Sequence, residues 1–272
     1  MFFSQEIAVV YPGGGPVGQD RSPFVNVDTT TVEGISRARE MGFADSGLAD
    51  AVVTPFIFEA NDLVTPTARG RLFTVFRHPI ERAISMFYYL QIADWEPTYD
   101  PELKFWTFEQ YAQSSKVENN WLTRQLSNQP FDDLGERNLQ IAMEVIRQKF
   151  IVGLVTEMEA TMDRFENIFR WKYHVNPTNQ EQCRQNLLSK GSNANTEKSG
   201  KPKEGSAEWK LLEEQNEYDL RLYAFIEELF QEQEKLVADR PDNFRNVDAT
   251  CCKCGPPTFP PEGFTCPMSI LN

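Results

Sequence analysis

Residues 71–90 constrain this chain more than any other stretch, because a short apolar run leads straight into a helical pattern with arginines and a serine gathered around the junction. Leu72, Phe73, Thr74, Val75 and Phe76 are β-branched or aromatic apart from one leucine, which predicts a strand buried on both faces. Pro79 suits the first position of a helix, where its fixed φ helps and its missing N–H costs nothing. Ile80, Ala83, Ile84, Phe87 and Leu90 then recur at helical spacing and predict one apolar face that docks on the sheet. Arg77 falls at the carboxyl end of the strand, beside the free N–H groups and positive end of the helix, where α/β folds bind anions. Ser85 lies deeper in the same helix and adds a hydroxyl donor. Arginine suits phosphate because its planar fork bonds two oxygens at once. The plainer alternative for Arg77 and Arg82 is pairing with acids on a solvated helix face.

The run F-R-H-P-I-E-R-A-I-S-M-F-Y-Y beginning at Phe76 resembles the 3′-phosphate-binding segment of sulfotransferases that use 3′-phosphoadenosine 5′-phosphosulfate (PAPS). It is most similar to the Golgi carbohydrate group, including the heparan-sulfate type, whose pattern reads F-x-R-[DN]-P-x-x-R-x-x-S-x-Y-Y. The resemblance continues in order downstream. Residues 120–126 (N-W-L-T-R-Q-L) look like the acceptor-side N-x-x-T-R-x-L segment, and residues 137–146 resemble the family's A-x-x-x-L amphipathic helix. Residues 150–157 (F-I-V-G-L-V-T-E) resemble its F-V-G-L-T-E strand and turn, and residues 216–230 its last helix. Together these segments span roughly residues 50–236.

The resemblance implies an α/β fold of the P-loop-kinase-like sulfotransferase type, with a central parallel sheet flanked by helices. It implies residues 50–237 as the sulfotransferase-like domain, after an irregular segment 1–49 and before a Cys/Pro-rich tail 238–272. It implies PAPS as sulfuryl donor, bound by Arg77, Ser85 and Arg82 with Arg77 and Ser85 on the 3′-phosphate, and a glycan or other hydroxyl-bearing acceptor near Arg124. No metal is expected. Family members open with a loop of the kind P-K-[TC]-G-[TS]-[TS], whose N–H groups, lysine and hydroxyls cradle the 5′-phosphosulfate. Upstream of Arg77 the nearest glycine cluster, Gly13, Gly14 and Gly15, is flanked by Pro12 and Pro16 and followed by no lysine, so a flexible turn is expected there. The chain therefore reads as N-terminally incomplete, with the loop and the usual membrane anchor lying outside it. A Golgi lumen or membrane location follows from the resemblance. The alternative is a non-catalytic relative that keeps only the 3′-phosphate half of the site.

Composition narrows the partners. The chain has 272 residues and 40% apolar content, enough to bury a full core. It has no apolar run long enough for a transmembrane helix, and its first residues lack the pattern of a signal peptide. A net charge of −13 argues against a nucleic-acid or general membrane-surface binder, because polyanions need many basic contacts. The charge is uneven: between residues 204 and 240 eleven acids face four bases, whereas Arg69, Arg71, Arg77 and Arg82 form one basic group and Lys190, Lys198, Lys201 and Lys203 another. Residues 190–203 are rich in Gly, Ser and Asn, the composition of a loop or linker. In the family a loop at this place folds over the nucleotide, which implies Lys190, Gly191, Ser192 and Lys198 as lid contacts.

Sulfuryl transfer needs a base near the acceptor hydroxyl. The chain has two histidines, His78 and His174; His78 stands where the family pattern has Asp or Asn and reads as structural. Residues 52–62 correspond in order to the acceptor-side stretch that often carries histidine, and Glu59 or Asp62 are the groups there that could replace it. Elsewhere Leu139, Met143 and Ile146 mark a helix face, Phe150 to Val155 a buried strand, and Thr156 with Glu159 a capping box opening a helix that turns Met162, Phe165 and Phe169 one way. Leu211, Leu222, Ile226 and Leu229 give a last helix its apolar face. Cys251, Cys252, Cys254 and Cys266 sit in the proline-rich tail, with Cys183 apart from them; two disulfides, a zinc site and free thiols are all compatible with the spacing. A metal or interaction module carried by this tail on a degenerate scaffold is a further alternative.

Overall fold

The computed structural model describes residues 6–10, 24–49, 51–169 apart from 66, 69 and 97, positions 182, 184–186 and 188, and residues 201–238. The glycine cluster, His174, Lys190, Gly191, Ser192, Lys198 and all five cysteines lie outside the described residues. The chain is mixed α/β and mostly helical. A short antiparallel pair, β1 (Val9–Val10) and β2 (Phe24–Val25), precedes α1 (Val32–Glu40), α2 (Phe43–Ser46) and α3 (Ile57–Ala60). The central part runs β3 (Leu72–Phe76), α4 (Pro79–Tyr89), α5 (Phe108–Ala112), α6 (Trp121–Ser127), α7 (Glu136–Lys149), β4 (Phe150–Leu154) and α8 (Met158–Phe169). Helices α9 (Ala207–Gln215) and α10 (Glu217–Ala238) complete it.

Strands β3 and β4 pair in parallel, from Leu72 opposite Phe150 to Phe76 opposite Leu154. Parallel pairing requires a crossover, and helices α4 to α7 supply it. Every residue of β4 is buried, as its unbroken apolar sequence predicts. Strand β3 departs from expectation: Phe76 is buried but Val75 is 37% exposed. The cover from α8 reaches Phe73, whose ring meets Phe165 at 5.3 Å and Phe169 at 4.9 Å, and leaves Val75 open. Gly153 lets α8 come this close, since a Cβ there would stand 2.3 Å from the Thr161 methyl.

The outer edge of β4 is closed by side chains rather than by a third strand. Gln233 of α10 accepts from Val152 N–H at 2.9 Å and donates to the Phe150 carbonyl at 2.8 Å. Arg164 of α8 donates to the Val152 carbonyl at 3.0 Å and to the Phe230 carbonyl at 2.6 Å, with its guanidinium 3.6 Å over the Phe230 ring. Thr161 accepts from Leu154 N–H at 2.9 Å and donates to the Leu154 carbonyl at 3.2 Å. Buried backbone polar groups must find partners, and here α8 and α10 provide them.

The apolar residues of α4 are buried as the spacing predicts, but they pack on Leu103, Phe108, Tyr111 and Leu212 rather than on the sheet. A two-stranded sheet is too narrow to receive every helix. Phe76 and β4 already sit in a separate core with Leu126, Leu139, Ile146, Leu222 and Ile226. The expected capping box at Thr156 is replaced by a short 3-10 turn, Val155–Glu157, after which α8 starts at Met158. The buried residues of α8 are Thr161, Arg164 and Phe165, because two of them serve the β4 edge. The last helix is broken at Asn216, which closes α9 and spends its side chain on Leu212 O and Asn120 N–H. Residues before position 50 are not irregular throughout: Ile35, Ala38 and Phe43 form one apolar cluster with Leu63, against which Val52 and Phe56 pack, so the expected boundary near 50 runs through it.

Gln233→Leu keeps the volume of the side chain but strips two buried partners from β4, and should lower stability by about 3 kcal/mol, as read from urea unfolding.

Candidate functional site

Arg77 follows directly on β3, His78 is the N-cap of α4 and Pro79 opens the helix, as the sequence predicts. His78 makes no side-chain bond to the first turn, so the N-cap residue leaves the N–H groups there without a cap of its own. The Arg77 guanidinium lies 3.6 Å from Glu81, and both side chains are close to half exposed. A pair of this kind is weak and leaves most of the guanidinium fork open to another anion. Ser85 is partly buried on the same helix, one turn beyond Glu81 and Arg82.

Arg82 is held differently. It forms a two-pronged ion pair with Glu118, one bond of which measures 3.1 Å, and its guanidinium lies 4.0 Å over the Trp121 ring. That engagement ties α4 to the entry of α6. His78 is packed among aromatics, stacked on Trp209 at 5.9 Å and meeting Tyr223 edge-on at 5.4 Å. Its Nδ1 is buried with no hydrogen-bond partner among the described residues. Burial pushes the Tyr223 phenol's pKa up.

Glu59 and Arg124 come together although 65 positions separate them (124 − 59). They line one shallow, open cleft with Phe56, Phe58, Gln125, Asn128 and Pro130. Ile57, also in its wall, packs on the core that contains Phe76, which sets the cleft beside the β3 core. Arg124 spends most of its donors on the neighbouring loop: Nε on the Asn119 carbonyl at 3.0 Å, Nη1 on the carbonyls of Gln129 at 3.3 Å and Asp132 at 2.7 Å, and Nη2 on Asn119 Oδ1 at 3.2 Å. Asp62 is not in this cleft; it pairs with Arg39 at 3.6 Å on the surface.

At the start of α6, against α10, lies a buried polar node that periodicity alone does not reveal. Asn120 is left-handed, with φ 48°, and its side chain does not cap α6. Asp219 of α10 caps it from a distance, accepting from Leu122 N–H at 2.9 Å and Thr123 N–H at 2.7 Å. Asn120 answers by accepting from Asp219 N–H at 3.0 Å, and Asn216 accepts from Asn120 N–H at 3.1 Å. The one signal in the sequence is Asn216 and Asp219 standing three apart at the head of an otherwise apolar helix face.

No protein-family model, curated protein or solved structure matches this chain. Among the described residues no group of three or more His, Cys, Asp or Glu could hold a metal ion, and no helix is long and apolar enough to cross a membrane.

Burial pushes the Asp219 carboxyl's pKa up, against the bonds from Thr123 and Leu122 and the attraction of Arg82, which pull it down. The folded chain thus holds this proton more tightly than the unfolded one. The stability it contributes is full below the ordinary value of 3.8 and is lost as pH rises through the folded pKa. Asp219→Asn removes the titration, so the stability of the wild type relative to this variant should fall as pH is raised from about 3.5 toward neutrality, measured by urea midpoints across the series.

Proposed function

We propose that this chain binds the adenosine 3′,5′-bisphosphate part of PAPS and moves its sulfuryl group to a hydroxyl of a glycan, on a sulfotransferase-type α/β scaffold. The observation that carries the reading is Arg77 at the carboxyl end of a parallel strand, beside the first turn of an eleven-residue helix whose N-cap side chain makes no capping bond, and with an exposed contact to Glu81. Anions gather at such a junction, because the helix dipole, free N–H groups and a guanidinium point the same way. Ser85 supplies a hydroxyl to the same phosphate. Arg82 acts here through Glu118 and Trp121, holding α4 against α6, and does not spend its charge on the nucleotide.

In the transfer, the acceptor oxygen forms a new bond to sulfur while the bond from sulfur to the bridging phosphate oxygen breaks. Adenosine 3′,5′-bisphosphate leaves with the negative charge, and the acceptor's proton passes to a carboxylate. Glu59 is the carboxylate that fits this role, since it lines the cleft shared with Arg124. A Golgi lumen location accompanies the reading. A second reading, nucleotide binding without transfer, draws support from His78, whose packing against Trp209 and Tyr223 sets it among aromatic rings rather than at an acceptor hydroxyl.

Calorimetric titration with adenosine 3′,5′-bisphosphate tests the site. The wild type should bind in the micromolar range, and Arg77→Ala should weaken binding by about 1.5–3 kcal/mol, roughly tenfold to a hundredfold. A folded wild type that does not bind would discard the reading.

A further inference from the structure

We infer that the cleft between α3 and α6 takes an uncharged saccharide rather than a polyanionic glycan, an inference that rests on the glycan-acceptor reading above. Among the described residues the cleft holds a single cation, Arg124, and four of its N–H donors already serve Asn119, Gln129 and Asp132. A guanidinium has five, so one remains. Glu59 balances the charge of Arg124 within the walls. A polyanion needs several free cations to replace the counter-ions it loses, and these walls do not supply them.

What the cleft does offer suits a neutral sugar. Phe58 is 38% exposed in its wall. The chain that follows α6 is held at its backbone, where Arg124 bonds the Gln129 and Asp132 carbonyls and Gln129 donates to Asp132 at 2.6 Å. An exposed aromatic ring in the wall presents a flat apolar surface. The amides of Gln125 and Asn128 and the Glu59 carboxylate can exchange hydrogen bonds with ring hydroxyls, the donors and acceptors of which sit at the edge of a sugar while its C–H face is apolar. The cleft is shallow and open, so a sugar would lie across it at a chain end rather than be enclosed, and no long segment threads through it.

The test is calorimetry on the full chain saturated with adenosine 3′,5′-bisphosphate, using neutral N-acetylglucosamine and N-acetyllactosamine oligomers and an unsulfated uronate-bearing oligomer, each at low and physiological salt. A neutral oligomer should bind with little response to salt, and at least tenfold more tightly than the uronate oligomer. Phe58→Ala and Glu59→Gln, both at solvent-accessible positions, should each weaken it about tenfold. Salt-sensitive binding that favours the uronate oligomer would overturn the inference, as would neutral binding that both variants leave intact. If no oligomer binds while nucleotide binding stays Arg77-dependent, the inference fails and the nucleotide site stands; if the nucleotide titration also fails, the whole functional reading goes with it.

Discussion

Five backbone groups on the outer edge of β4 are bonded by the side chains of Gln233, Arg164 and Thr161, and the rest of the molecule is arranged around that closure. A fully buried strand cannot leave its edge to water, so its N–H and C=O groups need partners inside the protein. Because the partners come from α8 and α10, both helices are fixed in position and rotation against the sheet. Arg164 extends the link by bonding the Phe230 carbonyl and lying over the Phe230 ring. Burial pulls the pKa of this guanidinium down, yet it stays charged, and a charged donor makes the stronger bond to a carbonyl.

From that anchored helix α10, Asp219 reaches across to cap α6, and Arg82 of α4 meets α6 through Glu118 and Trp121. The two parts of the proposed site thus depend on the same support. Arg77 and Ser85 ride on α4, Arg124 and Gln125 on α6, and α10 holds α6 by a remote cap where Asn120, in its left-handed conformation, cannot supply its own. The ordering is physical: a helix end with no local cap has to take one from tertiary structure. Arg124 repeats the device on a smaller scale, holding the loop that carries Pro130 and Phe131 by its carbonyls.

Much of the scaffold is legible from periodicity. The apolar run before Arg77, the proline at N1 of α4, the face of α7 through Leu139 and Ile146, and the buried β4 all follow from spacing and size. Legibility stops where polar residues enter the interior. Thr161, Arg164, Gln233, Asn216 and Asp219 look like surface residues in a sequence, because a polar side chain inside a helix is usually solvated. Their burial depends on partners up to about a hundred residues away, such as Asn120 and Asp219, which are 99 apart. The same holds for the site: Arg77 and Ser85 share one local element and can be found together, whereas Glu59 and Arg124 meet only through packing.

The sequence by itself determined the local elements, since strand and helix periods and the proline at N1 act over a few residues, and with them the setting of Arg77 at a strand-to-helix junction. Only the tertiary structure decided that Arg82 would be committed to Glu118 and Trp121, that α4 would dock on helices rather than on the sheet, and that Glu59 and Arg124 would share a cleft. These outcomes turn on which buried donors and acceptors find one another after the chain has collapsed, and hydrogen-bond satisfaction inside a core is a property of the whole fold rather than of any segment.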